Sequence, residues 1–375
     1  YEAWRESIEA FSPDAVTRVT GVSADELDRL TARLAAADRP VMIMGTGSGV
    51  PGDEAAVARA AATLTALLGS DAGLMVLGGR SNVQGLVDVG LHPRLLPGHR
   101  LASQTVELED LTGRATLAEV GWSVSEWVAT GPDAASGLLL VGVDPVDLLP
   151  RGEDPRRVLE GAGFSVVVDA FPTSTAQRAD VVLPAAILSE REGTTVGADG
   201  VPRPLRRALD PPAGVRSDTD VLTELARRMG SWLPSGDVLL AEMDRVVGWN
   251  WPRSQPRGLS PVEPPGETAG LSGFRLDAAP PLCQSGSVTM RCALLQELSP
   301  TVAVRINPAD ARALGVARGE VVAVSSEKGE VLLRARLDRT VPKGTVVVPW
   351  VGSRDGASTL YQGTGEALSV KVRKA

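Results

Sequence analysis

Cysteine and histidine are nearly missing from this chain of 375 residues: Cys283, Cys292, His92 and His99 are the whole inventory. A cysteine-ligated iron-sulfur cluster takes four thiolates and a structural zinc four Cys or His ligands, so this chain cannot hold either alone. A disulfide between the two cysteines is open to them, but two free, partly buried thiols are the better reading. Long apolar runs are missing too. GLLLVGV at 137–143 is among the longest, far short of the ~20 residues a membrane helix needs, so no direct membrane insertion is expected. Nor is there a basic surplus. The 46 acidic and 38 basic residues leave a formal charge of −8, which favours solubility and argues against a nucleic-acid partner. The first residue is Tyr1, and no charged segment with an apolar core follows it, so no signal peptide is expected and the chain reads as part of a longer protein.

What is present is ordinary globular material for two or more domains. Short apolar segments recur: VMIM at 41–44, GLMVL at 73–77, GLLLVGV at 137–143, SVVVDAF at 165–171 and DVVLP at 180–184. They lack polar alternation, as strands buried on both faces do. Helical patterns lie between them. Ser23 with Glu26 fits a capping box ahead of Leu27, Leu30 and Leu34, and residues 53–68 and 219–229 repeat the pattern, the last capped by Ser217. Strands alternating with helices call for a parallel sheet covered on both faces, and residues 1–230 read as a doubly wound α/β region. Residues 231–282 are rich in Pro and Gly and read as an extended linker. Residues 283–375 carry β-branched stretches separated by turns such as Lys328-Gly329, with one short helix from Asn307 to Leu314, and read as a small β-barrel or sandwich.

Each candidate site has a plainer alternative. Gly45, Gly47 and Gly49 follow an apolar strand, where missing Cβ atoms would let backbone N–H groups approach an anion, or simply make a tight turn. Asp144 and Pro145 end a strand, where a carboxylate would hydrogen-bond a ribose or base, or start the next turn. Asp169, Thr173 and Thr175 would hold a ligand or cap a helix. Arg305, Asn307 and Asp310 would face a ligand at the barrel mouth, or Asn307 and Asp310 cap the short helix. His92 and His99 stand seven apart around two prolines and make a poor metal pair. Glu190 and Glu192 read as solvated loop carboxylates without a partner for acid–base work.

Taken in order, several segments resemble one family. These are TGVSADELDRLTARLA before VMIMGTGSG, VGVDPVDLLPR, VVVDAFPTSTAQRADVVLP, EREGTTVGADG, and RINPADARALGVARGEVVAVSSEKGEV followed by VPKGTVVVP. They resemble the catalytic-subunit fold of the molybdopterin oxidoreductases. NVQGLVDVGLHPRLLPGHR at 82–100 is similar to the version in the large, G-type iron-sulfur subunit of bacterial NADH:quinone oxidoreductase, respiratory complex I.

The resemblance implies that the loops with Gly45 and Gly47, Asp144 and Pro145, and Asp169, Thr173 and Thr175 border a pterin guanine dinucleotide site, with Asn307 and Asp310 the barrel's share. Active relatives bind molybdenum through a Cys, selenocysteine or Ser upstream of the matching region, and the large subunit's iron-sulfur modules also lie upstream. Nothing here matches either. After Glu190, Gly193 and Thr194 the family continues with an Asn and an E-G-R element, whereas this chain has Gly197, Asp199, Gly200 and Val201-Pro202-Arg203. That departure points to a vestigial site without a cofactor.

The resemblance therefore implies the C-terminal, structural part of a complex I large subunit, with no catalytic residue, metal ligand or cofactor of its own. Its partners would be other peripheral-arm subunits, and its place cytoplasmic, against the inner face of the cell membrane. The parent assembly would carry electrons from NADH to quinone. The alternative is the cofactor-binding half of a molybdenum bis-pterin enzyme such as a formate dehydrogenase or nitrate-reductase-like subunit. A third possibility is a binding module using the old pocket for another nucleotide.

Overall fold

The structure, a computed structural model, describes all residues except 1, 10, 46–53, 70, 102–104, 113–119, 132–134, 150–152, 235, 249–272, 280–285, 299–301, 352–354 and 362–368. The chain divides into two compact units, each discontinuous in sequence. The first comprises Tyr1–Gly121, Gly193–Leu205 and Pro234–Ala269, and the second Trp122–Glu192, Arg206–Leu233 and Gly270–Ala375.

In the first unit, the Ser23 hydroxyl accepts from Glu26 N–H while the Glu26 carboxylate accepts from Ser23 N–H, starting the helix Ala24–Ala35. The strand Val41–Gly45 then pairs in parallel with Gly73–Leu77 across the helix Glu54–Leu67. A hairpin of Gly193–Val196 and Pro202–Leu205 joins this unit. Val196 N–H donates to the Asn82 side chain at 2.9 Å. Gly85 lies close by, where an added Cβ would sit 2.3 Å from Asn82 Oδ1 and 3.0 Å from Val196 Cγ2. Glycine is what lets these segments meet.

The second unit holds a three-stranded parallel sheet in the order Leu138–Val141, Ser165–Asp169, Val181–Pro184. Val167 and Val168 in the central strand are fully buried. Asp180 accepts from Ser165 N–H at 2.8 Å and from its hydroxyl at 2.9 Å, tying the starts of two neighbouring strands. The helix Asp218–Arg228 begins as read, with the Ser217 hydroxyl accepting from Asp220 N–H.

Every expected strand is present, but among the described residues the parallel strands stand in two sheets, of two and three strands. Burial on both faces holds only for Ser165–Asp169. Val41 and Ile43 are each 62% exposed, and Val181 and Val182 are exposed as well. An apolar run shows that a strand can be covered, while its place in the sheet decides whether it is.

The same unit ends in a closed six-stranded barrel built from Phe274–Ala279, Ala303–Ile306, Val321–Ser325, Glu330–Leu337, Thr345–Val351 and Ser369–Lys374. Numbered along the chain, these run round the ring in the order 1-6-3-4-2-5, and the first and fifth strands close it in parallel. In Glu330–Leu337 the side chains of Val331, Leu333 and Ala335 point inward while Leu332, Arg334 and Arg336 point out, the two-residue period of a strand with one dry face. At the Lys328-Gly329 turn a Cβ on Gly329 would lie 2.8 Å from the Thr359 carbonyl, so that turn needs its glycine.

The linker reading of 231–282 is corrected at both ends. Gly236–Val247 is a helix with Val246 buried, and Phe274–Ala279 is the first barrel strand. The Pro/Gly-rich stretch 249–272 between them lies outside the described residues. Average composition over the segment masked the apolar spacing at its two ends.

Leu276, 1% exposed, sits on the strand that closes the ring. Leu276→Ala is expected to lower the unfolding free energy by about 2–5 kcal/mol. Leu332→Ala, on the outer face, is expected to stay within about 0.5 kcal/mol. Denaturant titration of both variants checks the contrast.

Candidate functional site

The carboxyl ends of parallel strands leave backbone and side chains facing one edge, the place where open α/β sheets take ligands. In the second unit that edge gathers Asp144, Pro145, Asp169, Thr173 and Thr175, all buried. Asp144 is 2% exposed. Its Oδ1 accepts from the Thr175 hydroxyl at 2.6 Å and from Thr175 N–H at 3.3 Å. The Thr175 oxygen in turn accepts from Val146 N–H at 3.3 Å. Thr173 Oγ1 accepts from Ala176 N–H at 3.0 Å, and Asp169 Oδ1 from Phe171 N–H at 3.0 Å. Pro145 opens the short helix Pro145–Leu148. Asp144 and Thr175 are hydrogen-bonded across the edge, whereas Asp169 and Thr173 do the local turn work of their plainer reading.

Burial pushes the Asp144 carboxyl above its ordinary 3.8; the Thr175 hydroxyl pulls it down, and the neighbouring Asp147 charge pushes it up again. Asp147 itself accepts from the Ser174 hydroxyl at 2.7 Å. Three carboxylates, Asp144, Asp147 and Asp169, therefore belong to this edge. Such acceptors suit the N–H and O–H groups of a base or ribose. The cation beside Asp144 is Arg291, whose Nη2 lies 4.0 Å from Oδ2. Sequence reading missed Arg291 because only the fold brings it to a strand end so distant along the chain.

The remaining candidates fall elsewhere. Gly45 ends a strand in the first unit, and Gly47 and Gly49 lie outside the described residues. Asn307 spends both ends of its amide in the barrel: its Oδ1 accepts from Ala309 N–H at 2.9 Å and its Nδ2 donates to the Val341 carbonyl at 2.8 Å. Asp310 accepts from Gly344 N–H at 2.8 Å. Arg305 donates to Asp338 at 2.9 Å. The Thr340 hydroxyl and N–H, with Arg305 adding less, hold the Asp338 carboxyl down at about 2.

His92 Nδ1 accepts from Arg94 N–H, whereas His99 Nε2 lies 2.7 Å from the buried Asp88 carboxylate, so the two rings serve separate partners. Among the described residues no group of three or more His, Cys, Asp or Glu gathers as a metal site. Cys292 is a free thiol, and Cys283 lies outside the described residues. Glu190 caps its own turn by accepting from Ile187 N–H at 3.1 Å, and Glu192 is exposed. The divergent turn after Val196 closes on itself: Asp199 accepts from Val201 N–H and pairs with Arg203, with Gly200 at φ +75°.

A parallel α/β sheet with a polar carboxyl edge, followed by a closed barrel, is the architecture of the second unit. Acetylene hydratase from Pelobacter acetylenicus shares this fold, with a TM-score of 0.53 at 16% identity over 73% of this chain and 50% of that one. The molybdopterin oxidoreductase model matches residues 26–228 and the molybdopterin dinucleotide-binding domain model residues 281–360. The chain belongs to the molybdopterin oxidoreductase family.

Three relatives illustrate its range. The NADPH-Fe(3+) oxidoreductase subunit alpha of Geobacter sulfurreducens is 30% identical over 95% of this chain and 44% of that protein. The F420-dependent formate dehydrogenase 2 subunit alpha of Methanococcus maripaludis is 30% identical over 73% and 47%. The G subunit of the NADH-quinone oxidoreductase of Streptomyces coelicolor is 30% identical over 91% and 41%. The chain spans less than half the length of these relatives. The dinucleotide-binding match points to a pterin cofactor and lends no support to the expectation of a cofactor-free chain. Among the described residues no helix is long and apolar enough to cross a membrane.

A pH test follows from Asp144. Its folded-state pKa is raised, so the stability it contributes is fully present below its ordinary value and is lost as pH rises through the folded value. Asp144→Asn keeps an acceptor for Thr175 and removes the charge. The wild type is therefore expected to gain stability relative to this variant as pH falls from about 7 to about 4, read as denaturation midpoints of both proteins. Thr175→Val, which strips the hydroxyl donor from a buried carboxylate, is expected to cost about 1–3 kcal/mol in the same assay.

Proposed function

We propose that this chain is the cofactor-facing part of the large subunit of a molybdopterin-family oxidoreductase. The observation that carries this reading is the dinucleotide-binding match over residues 281–360, which falls on the closed barrel within the same compact unit as the Asp144 edge. Asp144, Asp147 and Asp169 would accept from the base and ribose of the nucleotide end, Thr175 would hold Asp144 and Ser174 would hold Asp147 in place, Thr173 would border the site, and the loop tied by Asn307 and Asp310 would be the barrel's share. Such a group, when bound, would supply two-electron redox chemistry at its metal. This chain's own part is to bind and orient it.

A second reading keeps the fold and drops the cofactor: a structural part of the large subunit of NADH:quinone oxidoreductase, held among peripheral-arm subunits at the inner face of the membrane. Two observations favour it. Identity to the Streptomyces coelicolor G subunit is 30% over 91% of this chain. The turn at Gly197–Arg203 departs from the family pattern and satisfies its charges internally.

Metal analysis and nucleotide extraction of the natural full-length protein separate the two readings. About one molybdenum or tungsten per chain, with an extractable pterin nucleotide, is the expected result. Absence of both, in a protein that purifies with NADH-oxidising, quinone-reducing activity, would overturn the first reading in favour of the second.

A further inference from the structure

The Asp144 corner already holds a planar group, and it comes from the chain itself. Arg291 lies in the turn Thr289–Arg291, where its Nη1 donates to the Ser287 carbonyl at 3.0 Å. Its Nη2 lies 4.0 Å from Asp144 Oδ2, and its Cζ stands 5.4 Å from the centroid of the Phe171 ring. The side chain is 27% exposed against a carboxylate that is 2% exposed. Thr175 gives Oδ1 two donors, the Asp147 backbone N–H adds a further hydrogen bond to the carboxyl, and Oδ2 is the oxygen 4.0 Å from the guanidinium.

A carboxylate and an aromatic face that one planar group reaches together recognise flat groups carrying adjacent N–H donors. Guanidinium meets it by charge and by its fork of donors. Guanine offers a neutral version, with N1–H and the 2-amino group side by side and a face that stacks. Adenine lacks the N1–H. The hold of Arg291 is loose: 4.0 Å exceeds hydrogen-bond reach, so displacing it breaks no direct hydrogen bond to Asp144. Other charges on this edge are engaged elsewhere. Asp147 accepts from Ser174, Asp169 from Phe171 N–H, and Arg178 donates to the Ser174 carbonyl and faces Glu160.

We propose that Arg291 is a self-ligand, its guanidinium holding the Asp144–Phe171 corner in place of a guanine-type base, so that it must swing away before a nucleotide can seat there. The inference rests on the reading of this edge as a nucleotide site. A residue that only balanced the Asp144 charge would leave nucleotide affinity unchanged on removal. One that contacted the nucleotide would weaken binding on removal. A self-ligand does the opposite of both.

The test is calorimetric titration of the full chain with GMP, with AMP as comparison. Arg291→Ala is expected to bind GMP about tenfold more tightly than the wild type, with a smaller gain for AMP. Adding Asp144→Asn to Arg291→Ala should remove the gain. Arg291→Gln, which keeps the length of the stem and loses the charge, carries the same expectation if the alanine variant folds poorly by circular dichroism. Equal or weaker GMP binding by the variants, with measurable binding by the wild type, overturns the self-ligand and leaves the nucleotide-site reading standing. Binding by none of the proteins, each first shown by nucleotide extraction to carry no bound nucleotide, overturns both.

Discussion

A strand with a free edge leaves a row of N–H and C=O groups without partners, and the barrel removes that liability by closing. The closure depends on one pairing, Arg275–Ala279 against Thr345–Pro349. It is parallel and joins segments far apart in sequence, so its loop entropy must be offset by what the ring buries. Leu276, Val346 and Val348 on these two strands are all within 1% of full burial and pack into one core with Val304, Ile306 and Val322. The interior of the barrel and the position of its connecting loops follow from that contact. Asn307 and Asp310 then tie the short helix Pro308–Ala313 to the loop between the fourth and fifth strands.

The α/β part of the same unit meets a different constraint. Asp144 is charged in water and nearly dry in the fold, and burying such a group is costly unless hydrogen bonds return part of the loss. Thr175 returns part of it with two donors, its hydroxyl and its N–H, both to Asp144 Oδ1. The cost is tolerated because the edge of a parallel sheet is where the chain can present acceptors without disturbing the strands behind them. The site's acidic character comes from the same arrangement, with the Arg291 guanidinium 4.0 Å from Asp144 Oδ2 and Arg178 bound to the Ser174 carbonyl. Family membership fits this picture, while the relatives span several activities, because a fold does not by itself set the reaction.

Features set by short-range chemistry were legible in the residues. The capping box at Ser23 and Glu26, the cap at Ser217, the Asn307 helix start and each apolar strand stand where local pattern places them. The motif order carried the family as well. Less legible were the helix Gly236–Val247 and the strand Phe274–Ala279, whose apolar spacing is diluted by the prolines and glycines between them. Exposure of Val41 and Ile43 was not legible either, since their pattern equals that of the buried Val167 and Val168.

By itself the sequence determined which segments become strands and helices, where helices start, and which residues stand at strand ends, because hydrogen bonds over three or four residues and side-chain periodicity decide these. The tertiary structure alone decided that the parallel strands among the described residues sort into two sheets, that the first barrel strand precedes the expected boundary, and that Arg291 comes to rest on Phe171 beside Asp144. Those outcomes depend on contacts between segments far apart along the chain, where loop closure and burial compete and no local pattern records the winner.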